Sequence, residues 1–154
     1  MIIPPLDASA GPPPGRPVTR TSAVVRFAET DLMGIVHHAN YLLYVEEARV
    51  AFLTRRGIDF LEWTAKHVYF PVVDARLRYR SAANFLDVLD TDVWIGETSR
   101  VTVRFDFRIS RTANDKRTTL CEGYSTIACV DEARAPKRIP PEISAALVRE
   151  EATR

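Results

Sequence analysis

Cysteine is scarce in this chain: Cys121 and Cys129 are the two it has. They lie eight positions apart within one apparent strand, roughly 26 Å along it at about 3.3 Å per residue, so they cannot bridge there. Two cysteines make no metal cluster. The adjacent His37 and His38 lack a third ligand at suitable spacing, so no metal is expected. The cysteines read as small buried hydrophobes of a protein in a reducing cytoplasm. No apolar run is long enough to cross a bilayer, so no membrane insertion is expected. Neither sign of charge is in excess, with 21 basic and 20 acidic side chains and a net charge of +1. That balance argues against a nucleic-acid footprint.

What is present is ordinary for one globular domain: 154 residues, 46% hydrophobic and 27% charged, enough to bury a sizeable core. Proline is concentrated at one end. Residues 1–17 hold six prolines and two glycines and read as a disordered, proline-rich lead rather than a secretion signal. Residues 18–154 read as a single domain, with no internal repeat.

Within it, Val18 to Ala28 alternates as a first strand. A helix is expected from about Asn40 to Arg56, with Leu42, Val45, Ala48 and Phe52 at helical spacing. Gly57 stands where a left-handed stop is wanted, just after Arg55 and Arg56, whose charge suits the negative end of the helix. Asp59 and Glu62 form a capping-box pattern for a short helix from Phe60 to His67. Four β-like segments follow: Val68 to Arg80, Asp87 to Glu97, Arg100 to Arg111 and Arg117 to Asp131. In the clearest, Val101, Val103, Phe105, Phe107 and Ile109 share one face. Pro140-Pro141 opens a final helix reaching Glu151. The order predicts an α+β domain, an antiparallel sheet of about five strands wrapped around one long central helix.

The chemically informative stretch runs from Glu29 to Tyr41. It is a strand exit, a loop holding the Asp31 carboxylate and Gly34, and a helix start for which Asn40 is a candidate N-cap. The first turn of a helix offers unpaired N–H groups and the positive end of the dipole. Such donors can hold a carbonyl oxygen as it becomes anionic, each worth roughly 3–4 kcal/mol when well placed. A carboxylate beside them can attack the carbonyl carbon or deprotonate water. The parts of an acyl-transfer site therefore lie within a dozen residues.

The run Asp31-x-x-Gly34-Ile35-Val36-x-His38-Ala39-Asn40-Tyr41, with Glu46-x-Ala48-Arg49 behind it, resembles the signature of the 4-hydroxybenzoyl-CoA thioesterase family. Within it the likeness is to the small acyl-CoA thioesterases associated with the bacterial Tol–Pal system, and it extends over roughly residues 20 to 145. The resemblance implies a hotdog fold that pairs edge to edge as a homodimer, often doubling to a homotetramer, with active sites at the dimer interface. It implies an acyl-CoA substrate and no cofactor, because a thiolate leaves readily. Asp31 matches the catalytic aspartate, as nucleophile or general base. His38 matches the position whose N–H polarises the thioester carbonyl, and its side chain is a second catalytic candidate.

Gly34, Val36, His37, Tyr41 and Glu46 are expected to border the substrate, Glu46 from the partner subunit. Tyr41 also suits a core, and Glu46 with Arg49 a plain i,i+3 ion pair. Arg134, Lys137 and Arg138 are candidates for the CoA phosphates. Two positions depart from the branch: Phe27 stands where it typically has tyrosine, and His37 where relatives often carry an aromatic. Both bear on acyl specificity rather than reaction class. The alternative reading keeps the fold as a non-catalytic acyl-CoA-binding or assembly module.

Overall fold

A computed structural model of the chain describes residues 11–151. Its strands are β1 (Val18–Val24), β2 (Val72–Tyr79), β3 (Val88–Thr98), β4 (Thr102–Ala113) and β5 (Lys116–Ala128). They form one five-stranded sheet in the order β1-β3-β4-β5-β2, and every pairing is antiparallel. The helices are α1 (Tyr41–Thr54), α2 (Phe60–Ala65) and α3 (Pro141–Ala146). The expected α+β domain, with a sheet curved about one long helix, is what forms.

The alternation in β4 sets the core face. Val103, Phe105, Phe107 and Ile109 are buried, and Phe105 meets Phe52 of α1 edge-on with ring centroids 5.6 Å apart. Each such side chain contributes roughly 1.5–3 kcal/mol through burial. Helix α1 lies against β1 and β3 and buries Tyr41, Tyr44, Val45, Ala48 and Phe52. Leu42, expected in that stripe, is exposed, as are Leu43 and Val50. Positions 41, 45, 48 and 52 make the better i, i+4, i+7, i+11 seam, so Leu42 is rotated off it.

Both ends of α1 refine the expectation. Gly57 adopts φ +83°, with Gly57 N–H donating to Thr54 O and Ile58 N–H to Leu53 O, each at 3.0 Å. This is the left-handed stop that its position suggested. Arg56 is not a surface charge: it is buried and donates to Phe52 O at 2.9 Å, Thr19 Oγ1 at 2.8 Å and Arg149 O at 2.7 Å.

At the N-terminal end, a single 3-10 turn, His38–Asn40, precedes α1, and His37 caps it by accepting Ala39 N–H on Nδ1 at 3.3 Å. Asn40 is therefore not the capping side chain. It donates instead to Glu29 O at 2.8 Å.

Other boundaries move inward. Strand β1 stops at Val24, and Phe27–Glu29 form a 3-10 turn. Helices α2 and α3 are shorter than the patterns suggested, at six residues each. The proline-rich lead was expected to be disordered, but residues 11–17 are held against the sheet. Gly11 is buried, Arg16 donates to Ile95 O and to Gly96 O at 3.0 Å, and the segment lines a cavity over Trp94. Residues 1–10 lie outside the described residues. Cys121 and Cys129 are both buried free thiols. Among the described residues no helix is long and apolar enough to cross a membrane, and no metal-binding group of His, Cys, Asp and Glu forms.

Candidate functional site

The segment from Thr30 to Val36 folds into a closed loop. Thr30 and Val36 form an antiparallel bridge, and Asp31 N–H donates to Ile35 O at 2.9 Å. Gly34 N–H returns to Asp31 O at 2.9 Å from a φ of +73°, a conformation that explains glycine at the turn. The Asp31 carboxylate accepts Met33 N–H at 2.8 Å, an Asx turn that fixes its orientation. The loop is pinned to the connection between β2 and β3 by Val36 N–H donating to Ala83 O at 2.9 Å and by an Ile35–Asn84 bridge.

This loop and the start of α1 enclose a cavity of about 340 Å³ lined by Asp31, Ile35, Val36, His38, Tyr41, Tyr79, Arg80, Ser81 and Ala82. A larger cavity of about 620 Å³ lies by the lead and α3 and contains none of the candidate site residues. At the small cavity, His38 N–H carries no hydrogen bond among the described residues. It is the first N–H of the helical run, where donors are free by construction. Tyr79 Oη donates to the carbonyl of the same residue at 2.9 Å. The Tyr79 ring also meets Tyr41 edge-on, with centroids 5.3 Å apart. Burial pushes the Tyr41 hydroxyl pKa up, so the cavity wall there is a neutral phenol.

Of the candidates named from sequence, Asp31, Val36, His38 and Tyr41 come together here. Gly34 shapes the loop from its exposed outer side. His37 turns its ring back to cap the 3-10 turn and stacks on His38, with centroids 4.1 Å apart. Glu46 is exposed on α1 and does not line the cavity. Its neighbour Arg49 is hydrogen-bonded to Ser125 Oγ at 3.2 Å, with Glu46 acting on it only through space.

Arg134 borders a different cavity with Tyr69, Phe70, Pro71 and Val73, and Lys137 and Arg138 are exposed beyond it. The length of β2 separates Tyr79 from that cavity, about 23 Å at 3.3 Å per residue.

Sequence reasoning missed Tyr79, Arg80, Ser81 and Ala82, which stand some forty positions after the loop with no local signal. It also missed Glu29. This side chain is 4% exposed and accepts Tyr44 Oη at 2.7 Å, Arg26 N–H at 2.8 Å and the Arg26 guanidinium at 2.6 Å and 3.0 Å. Burial alone would raise its carboxyl pKa. The hydrogen bonds from Arg26 and Tyr44 outweigh that and hold it below the usual carboxylate range. The acid in the Glu29-Thr30-Asp31 break was the available signal.

Comparison with known proteins identifies the family and the fold. The model of the thioesterase-like superfamily matches residues 25–147. The chain is 30% identical over 126 residues to the acyl-CoA thioesterase YbgC of Haemophilus influenzae, covering 79% of this chain and 88% of that protein. Its fold matches the crystal structure of Thermus thermophilus TT1821 with a TM-score of 0.76 and 37% identity, covering 84% and 96% of the two chains. It also matches a 4-hydroxybenzoyl-CoA thioesterase variant in complex with 4-hydroxybenzoyl-CoA, with a TM-score of 0.79 and 16% identity over 84% and 98%. That last likeness shows a shared hotdog fold.

Proposed function

This chain belongs to the thioesterase-like superfamily, and on that premise we propose that it hydrolyses acyl-CoA thioesters to free acid and CoA. One observation carries the reading: Asp31 and His38, whose N–H is free of hydrogen bonds among the described residues, line the same cavity. The thioester oxygen accepts from His38 N–H as it becomes anionic, and removal of one such donor typically costs 10²–10³ in rate. As general base, Asp31 takes a proton from water while the hydroxide oxygen bonds to the carbonyl carbon. The C–S bond then breaks, and the departing thiolate recovers the proton. As nucleophile, the carboxylate bonds to the carbonyl carbon, the thiolate leaves, and water hydrolyses the resulting anhydride. The exposed His38 imidazole can assist proton transfer. A thiolate is a good leaving group, so the reaction calls for no metal or organic cofactor.

The working unit in this reading is a homodimer paired through β2, doubling to a homotetramer. Strand β2 is a sheet edge with Val72, Val73 and Tyr79 exposed. The other edge, β1, has Arg20 O already occupied by Arg55. Antiparallel self-pairing of β2 sets Asp74 against Arg76 or Arg78 of the second copy, a favourable cross-strand pair. It also carries the Tyr79 end of one strand towards the partner subunit's Val72 end. The Asp31 cavity then adjoins the partner subunit's Arg134 cavity, where Arg134, with Lys137 and Arg138 exposed beyond it, suits the phosphates of CoA. The partner subunit's Glu46 is a substrate contact in the same arrangement. Within the superfamily we place the chain in the Tol–Pal-associated branch, on the Asp31–Tyr41 run, and in the cytoplasm.

The test is a panel of short, medium, long and aromatic acyl-CoA substrates with free thiol followed by a disulfide-exchange dye. Wild type is expected to release thiol, whereas Asp31→Ala and Asp31→Asn lose nearly all activity and still dimerise. Tight binding of an acyl-CoA without cleavage would overturn hydrolysis in favour of a binding module. Oxygen-18 from water found in Asp31 after a single turnover would select the nucleophilic route.

A further inference from the structure

We propose that Glu29 is a positioning residue that sets the Asp31 carboxylate against the His38 N–H, by clamping the loop to the start of α1 from both its side chain and its main chain. The inference rests on the reading of Asp31 and His38 given above.

Glu29 lies two residues before Asp31 and takes no part in the chemistry of the cavity, yet four structural pieces meet on it. Its carboxylate takes the backbone N–H and guanidinium of Arg26, just after β1. It also takes the hydroxyl of Tyr44, one turn into α1. Its backbone carbonyl accepts His37 N–H at 2.9 Å and Asn40 Nδ2 at 2.8 Å. These two bonds bracket His38, while the side-chain bond to Tyr44 fixes the same carbonyl relative to the helix axis.

The loop itself closes through Thr30–Val36, directly after Glu29. Rotation of Glu29 would therefore move Asp31 and His38 relative to one another, with little effect on the sheet. A near-attack geometry tolerates little such drift, because misplacement by about 1 Å can cost 10²-fold in rate.

An ordinary buried ion pair would give a different result, so the test separates the two. Glu29→Gln and Tyr44→Phe are made in the full chain, and kcat and KM are measured per folded molecule. Glu29→Gln is expected to lower kcat about 10- to 30-fold and Tyr44→Phe about 3- to 10-fold, each with KM within twofold. In an Asp31→Asn background, adding Glu29→Gln is expected to cost less than twofold, since the positioned group is gone. Amide hydrogen exchange gives a readout that needs no turnover: the His37 N–H, which donates to Glu29 O, is expected to exchange about tenfold faster in Glu29→Gln, with β4 unchanged.

Full kcat in both single variants overturns the proposal. So does a loss confined to thermal stability, or an unchanged His37 exchange rate. If wild type cleaves no acyl-CoA, the hydrolase reading fails, and the exchange measurement alone still decides whether Glu29 holds the helix start.

Discussion

The Tyr79 hydroxyl donates to the backbone carbonyl of His38 at 2.9 Å, joining the last residue of the edge strand β2 to the first residue of the turn before α1. The bond holds the peptide unit after His38 from the sheet side, while Glu29 holds the flanking His37 and Asn40 from the other. In the proposed dimer this ties the interface strand to the peptide next to the one whose N–H is proposed to bind the thioester carbonyl. Assembly and activity are then coupled through one phenol.

Tyr79→Phe tests that coupling, since it keeps the ring against Tyr41 and removes only the hydroxyl. A hydrogen bond of this kind is worth about 1 kcal/mol, so kcat is expected to fall about fivefold with KM nearly unchanged. Steady-state kinetics on the best acyl-CoA of the panel would show it. An unchanged kcat would mean that His38 is positioned without Tyr79.

Acid should destabilise the fold through three buried or half-buried carboxylates. Burial alone raises each pKa, but hydrogen bonds and ion pairs overcome it: Arg26 and Tyr44 at Glu29, Asn84 and Arg111 at Asp87, and Arg20 and Arg117 at Asp92. All three are thus held below their unfolded values, so the unfolded chain binds protons first as pH falls. Their stabilisation is complete above the usual carboxylate range and is lost as pH drops through it towards the folded values. Urea midpoints are expected to be level near neutrality and to decline steadily below about pH 5. A midpoint that is flat down to pH 3 would contradict this.

Neither cysteine should react in the native state. Burial pushes the Cys121 thiol up to about 12 and raises that of Cys129 as well, so almost no thiolate exists at assay pH. A disulfide-exchange dye is expected to find no fast thiol in native protein and two after denaturation, matching the two cysteines of the chain. The same result makes the dye usable for following CoA release. Rapid native labelling of Cys121 would show an opening of β5, and of Cys129 an opening of the segment just after it.

Gly123 is expected to be intolerant even of alanine. An added Cβ there would lie 1.9 Å from Arg76 O and 3.1 Å from the Phe107 ring, so β2 would have to separate from β5. The cost should be at least the 1–3 kcal/mol typical of overpacking, visible as a lower denaturation midpoint. Because β2 is the proposed interface, the dimer should weaken with it in analytical ultracentrifugation. A normal midpoint together with an intact dimer would refute the prediction.

Much of the fold was legible because its signals are local. The alternation of Val103, Phe105, Phe107 and Ile109 reports one buried face, and Gly57 reports a helix stop, whatever packs against them. Boundaries were less legible where side chains compete for the same backbone group. Asn40 has the composition of an N-cap, but Glu29 O claims its amide, and the ring of His37 takes the capping role instead. Leu42 was assigned to the core on spacing, and only the placement of α1 over β1 and β3 shows that the seam runs through Tyr41.

By itself, the sequence determined the α+β class, the long helix, the succession of antiparallel strands and the loop that presents Asp31 a few residues before free helical N–H groups. These depend on periodicity, turn chemistry and short spacing, all of which act over about a dozen residues. Tertiary structure alone decided which groups meet that loop. Tyr79 and Arg80 reach it from an edge strand forty positions later, Glu29 is buried beneath it by Tyr44, and Arg134 lies a strand's length away. Such contacts arise from sheet order and helix placement, long-range consequences of packing a single core that no local pattern encodes.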